Sequence, residues 1–146
     1  MTLKEIIATI EELGNKHLII ATTYNGAAMD RLALSDVEYP MFTFDVSSAR
    51  IAGQTIEFDF SMFFFDRLQA DASNEREVQS DQLSIAEDII AQLKYGGWDS
   101  FVLSDNVPIV FFTDNTPEML AGVNATATVI VDFIADRCSV PTTFVF

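Results

Sequence analysis

FDFSMFFFDRLQAD, residues 58–71, places six aromatic or methionine side chains in its first eight positions and then turns charged. Read from Thr55 as an extended strand, Ile56, Phe58, Phe60, Met62 and Phe64 share one face. Thr55, Glu57, Asp59, Ser61, Phe63 and Phe65 share the other. One face is apolar throughout, whereas the second begins polar and ends aromatic. A strand of this kind is covered on both faces at one end and open to water on one face at the other. Phe63 and Phe65 therefore need a second layer, from a helix of the same chain or from a neighbouring subunit.

The flanking segments say what that layer is made of. Downstream, Ser73 or Asn74 can cap a helix whose first turn carries Glu75 and Glu77, as the helix dipole favours. Val78, Gln82, Ile85, Ile89 and Leu93 repeat at helical spacing, Lys94 lies in the last turn, and Gly96-Gly97 ends the element. Upstream, YPMFTFDV alternates Met41, Thr43 and Asp45 against Phe42, Phe44 and Val46, a half-buried strand starting after Pro40. SSARIAGQ then reads as a loop turning at Gly53.

Leu3, Ile6, Ile10, Leu13, His17, Ile20 and Tyr24 form an apolar stripe over 3–24, with Thr2 as N-cap. Gly14 and Asn15 fall off that stripe, so the helix either continues or ends at Gly14 with a strand in 18–24. Residues 27–36 are ambiguous, with a short edge strand around Met29 to Leu34 as one reading. PIVFFTD fits a short strand and TPEMLAG a turn or a short 3₁₀ segment. Val123 to Ile134 fits a long strand whose apolar face includes Ala125 and Ala127, which calls for something bulky above them. The expected architecture is one α+β domain over 1–146. A mainly antiparallel sheet of four to five strands carries an N-terminal and a central helix.

The chain has 146 residues and a net charge of −14, and each third of it is acidic. With no basic patch, the sequence argues strongly against binding to a phosphate backbone by charge neutralisation. The opening MTLKEIIATIEELG lacks a signal-peptide pattern, and no apolar run is long enough for a membrane span. One cysteine, Cys138, leaves no intramolecular disulfide and no cysteine zinc cluster. Its neighbour Arg137 could lower its pKa slightly, but a structural thiol accounts for it. His17, the single histidine, lacks a Ser or Cys motif and fits a partly buried or capping role. Glu57, Asp59 and Asp66, and Asp81, Glu87 and Asp88, could pair for hydrolysis or a divalent ion. No EF-hand, Walker or dinucleotide spacing accompanies them, so they read as solvated faces. Asn124-Ala125-Thr126 lies in a strand and reads as a chance glycosylation match. The expectation is a protein with no catalytic residues, no cofactor and no metal.

Three stretches taken in order carry a resemblance: YPMFTFD at 39–45, DRLQADASNEREVQSDQLSIAEDIIAQL at 66–93, and AGVNATATVIVDFIADRCSVP at 121–141. Together they resemble the tail-completion (tail terminator) family of tailed bacteriophages, in the version found in crAss-like phages. The matching positions are Tyr39-Pro40, Asp66, Asp71, Ser73-Asn74, Ser80-Asp81, Cys138 and Pro141. The pattern departs at 27–36 and 101–118. The resemblance implies a homo-oligomeric ring, six- or twelve-fold, at the virion neck or upper tail, assembled in the host cytoplasm. It would join portal or adaptor to the tail, with DNA passing through and not held, and with no membrane partner. Phe63, Phe65, Phe144, Val145 and Phe146 would be the subunit interface. Glu57, Asp59, Glu75 and Glu77 would line the lumen, where carboxylates keep phosphates from sticking. The competing readings are an acidic DNA mimic that occupies a host nucleic-acid-binding protein, and a small enzyme with a carboxylate site.

Overall fold

The computed structural model describes residues 2–26, 38–69, 73–98, 100–114 and 119–133. The elements run α1 (Leu3–Lys16), β1 (Thr22–Asn25), β2 (Met41–Ala52), β3 (Thr55–Arg67), α2 (Glu75–Tyr95), β4 (Val102–Leu103), β5 (Ile109–Asp114) and β6 (Leu120–Asp132). They make an α+β domain with both helices on one face of a six-stranded sheet. The strand order is β1-β2-β3-β6-β4, and β5 pairs with β6 beside β4. The sheet is mixed, because β1 runs parallel to β2 while every other pairing is antiparallel.

β3 is the central strand and behaves as its alternation dictates. Phe58, Phe60, Met62 and Phe64 sit in the main core with Ile85, Ala86, Ile89 and Leu93 of α2 and Ile6 and Ile10 of α1. Opposite Phe60 and Met62 on β6 stand Ala127 and Ala125, whose small side chains leave room for α2 to cross. Phe42 stacks on Phe64 at 4.6 Å, which joins β2 to the same core.

Four expectations need revision. The helix of residues 75–94 does not cover Phe63 and Phe65: α2 packs on the even-numbered face of β3, and period-two alternation puts these two rings on the other. Residues 47–52 are no loop. β2 continues to Ala52 through a bulge between Val46 and Ser48, and turns over Gly53-Gln54 with Gly53 at φ 62. α1 neither runs on to residue 24 nor stops at Gly14, but ends at Lys16, before β1. Nor does Gly14 lie off the packed stripe. It is buried against the sheet, where a Cβ would come within 2.6 Å of Thr23 Oγ1 and 2.8 Å of Phe42 Cδ2. Its missing side chain is what lets α1 lie close to β1.

The end of α2 shows its own economy. Trp98 donates its indole N–H to the Gln92 carbonyl at 2.9 Å, satisfying one acceptor that the helix terminus leaves open. The suggested strand around Met29 to Leu34 lies outside the described residues, as do residues 115–118 and 134–146.

Candidate functional site

The second face of the sheet is divided as the sequence indicated. At its aromatic end Met41, Phe65 and Leu120 form a small cluster joined by Tyr24, Tyr39, Phe63 and Phe112. Phe112 of β5 meets Phe63 at 5.8 Å and Phe65 at 6.3 Å, both edge-on. Gly122 stands beside both Phe65 and Phe112 in register. A Cβ there would collide with the Phe64 carbonyl oxygen and the β3 backbone, so the glycine permits close strand approach. Phe65 is 2% exposed and Phe63 half-buried within the single chain, so β5 and Tyr39 supply much of their cover. Phe144, Val145 and Phe146 lie outside the described residues, with Cys138.

At the polar end Arg50 bridges Glu57 and Asp59, both at 2.7 Å. Asp59 also accepts from Thr128 Oγ1 at 2.6 Å and Ser48 Oγ at 2.8 Å. The hydrogen bonds from Thr128 and Ser48, then the bond and charge from Arg50, hold the Asp59 carboxyl below its ordinary value. Glu75 and Glu77 stand elsewhere, in the first turn of α2. That turn is tied to the aromatic end, because Gln79 donates to the Phe112 carbonyl at 3.1 Å and to Thr113 Oγ1 at 3.2 Å. The four expected lumen carboxylates therefore form two separate pairs, and one pair shares the single positive charge of Arg50.

Sequence reasoning missed the sheet's outer edge. On β5, Val110 is 61% exposed and Phe111 47%, and on β4 Val102 is 66% exposed. Val110 stands opposite Asn124 and Phe111 opposite Val123, so the apolar edge shows on both faces of the sheet. Among the described residues no strand pairs with the outer side of β5. The signal was present in PIVFFTD, whose apolar residues do not alternate with polar ones as a half-exposed strand's would.

Sequence reasoning also missed a groove on the flank of α2. The loop after α1 leaves Leu18 fully exposed and Ile19 57% exposed. His17 Nδ1 accepts the Ile19 N–H at 3.1 Å, which leaves Nε2 to carry the proton and donate to Asp88 at 2.9 Å. Both ring nitrogens are thus engaged in holding this loop to α2. On one side of it lies a cavity of about 660 Å³ bounded by Leu13, Lys16 and Gln92. On the other lies a cleft of about 340 Å³ that Asp66, Asp81 and Gln82 line.

Among the described residues no group of three or more His, Cys, Asp or Glu side chains is placed to hold a metal ion. No helix among them is long and apolar enough to cross a membrane. Compared with known proteins, the chain matches no family model and no curated sequence.

Proposed function

We propose that the chain is a ring-forming structural protein of a tailed-phage neck or upper tail, joining portal or adaptor to the tail. The observation that carries this reading is the apolar β5 edge, with Val110 and Phe111 exposed on a domain of net charge −14. An unpaired apolar edge on an acidic protein is an aggregation hazard unless a specific partner covers it. Among the described residues the sheet has β1 at one edge and β4 with β5 at the other, so its two edges differ. Unlike edges suit a head-to-tail contact, the kind that closes into a ring when the rotation allows.

The resemblance to tail-completion proteins supports the same assignment, and the charge suits a channel that passes DNA without gripping it. Glu75 and Glu77 are the better lumen candidates of the four, since Arg50 already occupies Glu57 and Asp59. Phe63 and Phe65 act mainly inside the subunit, and the interface moves to Val110 and Phe111.

Cryo-electron microscopy of the assembled particle tests this. The expected map shows a closed ring with β5 buried between subunits and a negative lumen. A neutral or basic lumen would remove the DNA-channel part of the proposal, and a ring with β5 facing solvent would remove the interface.

A further inference from the structure

We infer that β1 of one copy of this chain pairs antiparallel with the outer edge of β5 of the next, Thr23 opposite Phe111, so that one sheet runs through both subunits. The inference rests on the ring proposal, because it names the strand that covers the exposed β5 edge.

The register carries it. Thr22, Met41, Phe65, Gly122 and Phe112 stand in one row across the sheet, and Asn25, Phe44, Met62, Ala125 and Ile109 in another. β1 and residues 109–112 of β5 therefore lie at one level on opposite edges. They also run in opposite directions, since β1 is parallel to β2 and three antiparallel pairings lead from β2 to β5. A neighbour placed alongside by rotation about an axis along the strands keeps both level and direction. Its β1 then meets β5 antiparallel.

The backbone groups on the two edges match. The Thr22 N–H donates to the Pro40 carbonyl and the Gly26 N–H to the Phe44 carbonyl, so the alternate residues Thr23 and Asn25 turn their own groups outward. On β5 the Pro108 carbonyl accepts from Thr126, so Val110 and Phe112 bond toward β6, and Ile109 and Phe111 turn outward. In the level register Thr23 meets Phe111 and Asn25 meets Ile109, outward groups on both sides. The same register sets Tyr24 beside Val110, whose side chain is 61% exposed. Among the described residues no strand lies on the outer side of β1 or of β5.

Charge favours a second copy in this register. Two chains of net charge −14 repel except where neither presents carboxylates, and both β1 and residues 109–113 of β5 are uncharged. A two-residue slip one way sets Asp114 opposite Thr22, whose hydroxyl bonds to the Glu38 carbonyl, and so brings acid beside acid. The opposite slip runs Asn25 past the end of β5, against Val107.

The test is disulfide cross-linking in a Cys138→Ser background, because opposed residues of an antiparallel pair stand about 4.5 to 5.5 Å apart at Cα, within reach of a disulfide. A chain carrying both Thr23→Cys and Phe111→Cys should give a ladder of covalent oligomers on mild oxidation. A mixture of the two single variants should stop at the dimer. Tyr24→Cys with Val110→Cys, the adjacent pair, should behave in the same way. Thr23→Cys with Thr113→Cys, or with Ile109→Cys, reports a slip and should give no ladder. Native mass spectrometry of the parent chain separates the two proposals. A parent that forms a closed oligomer while neither level pair cross-links would overturn this pairing and leave the ring standing. A parent monomeric at every concentration would remove both. A covalent dimer of the Phe111→Cys chain alone would show β5 against β5 and would also overturn the inference.

Discussion

The two ends of β3 meet the same requirement by different chemistry. At its start the second face is exposed to water and is knitted by Arg50, Glu57, Asp59 and Thr128. At its finish the same face is closed by Phe63, Phe65, Phe112, Tyr39 and Met41. The carboxylates at the two ends differ in the same sense: Asp59 is held below its ordinary value by its donors, and Asp66 is raised by burial. The charged end is complete within the subunit, and the aromatic end lies beside β5, whose outer edge still exposes apolar side chains. What remains unsatisfied lies near the aromatic end, and that is where partners are expected.

The largest expected effect sharpens the contrast between the two faces. Phe64→Ala, in the fully buried main core, should cost about 4 kcal/mol in chemical denaturation, and Phe65→Ala about 3 kcal/mol, since its smaller cluster has less around it to leave a cavity in. Equal losses would mean that the two clusters act as one core. Next comes Asp59→Asn, which removes a charge accepted by Thr128, Ser48 and Arg50 and should cost about 1 kcal/mol at neutral pH. The Asp59 contribution is full above the unfolded value of 3.8 and is lost as pH falls through the lower folded value. The variant should therefore show a shallower acid-side loss of stability than the parent.

Asp66→Asn should act with the opposite sign and smaller size. Its folded value is raised above 3.8, so the fold gains from that proton at low pH and loses the gain as pH rises through the folded value. At neutral pH the asparagine should stabilise by less than about 1 kcal/mol, because solvent still reaches the carboxylate. A destabilised Asp66→Asn chain would break the symmetry drawn between the two ends.

Much of the fold could be read from local patterns. The alternation through Phe58 to Phe65 and the stripe from Val78 to Leu93 each state their own period, so the strand and the helix followed directly, but not which face of the strand the helix covers. What could not be read depends on residues far apart in the chain. Ser48 and Arg50 look like loop residues until Asp59 and Glu57 stand opposite them in the hairpin. Gly14 looks like a weak point until Thr23 and Phe42 arrive beneath it. Phe65 looks as though it needs a helix or a neighbour until Phe112, from β5, reaches it across Gly122. The cleft is less visible still, because Asp66 and Asp81 come from different elements and Gln82 reads simply as one step of a helical stripe.

The measurement that bears most directly on the assembly claim is native mass spectrometry of the parent chain beside Phe111→Glu. Phe111 is 47% exposed, so the substitution should change subunit stability by no more than about 0.5 kcal/mol. The account predicts a closed oligomer for the parent and a folded monomer for the variant. A parent that stays monomeric at every concentration, or a variant that assembles equally well, would contradict it.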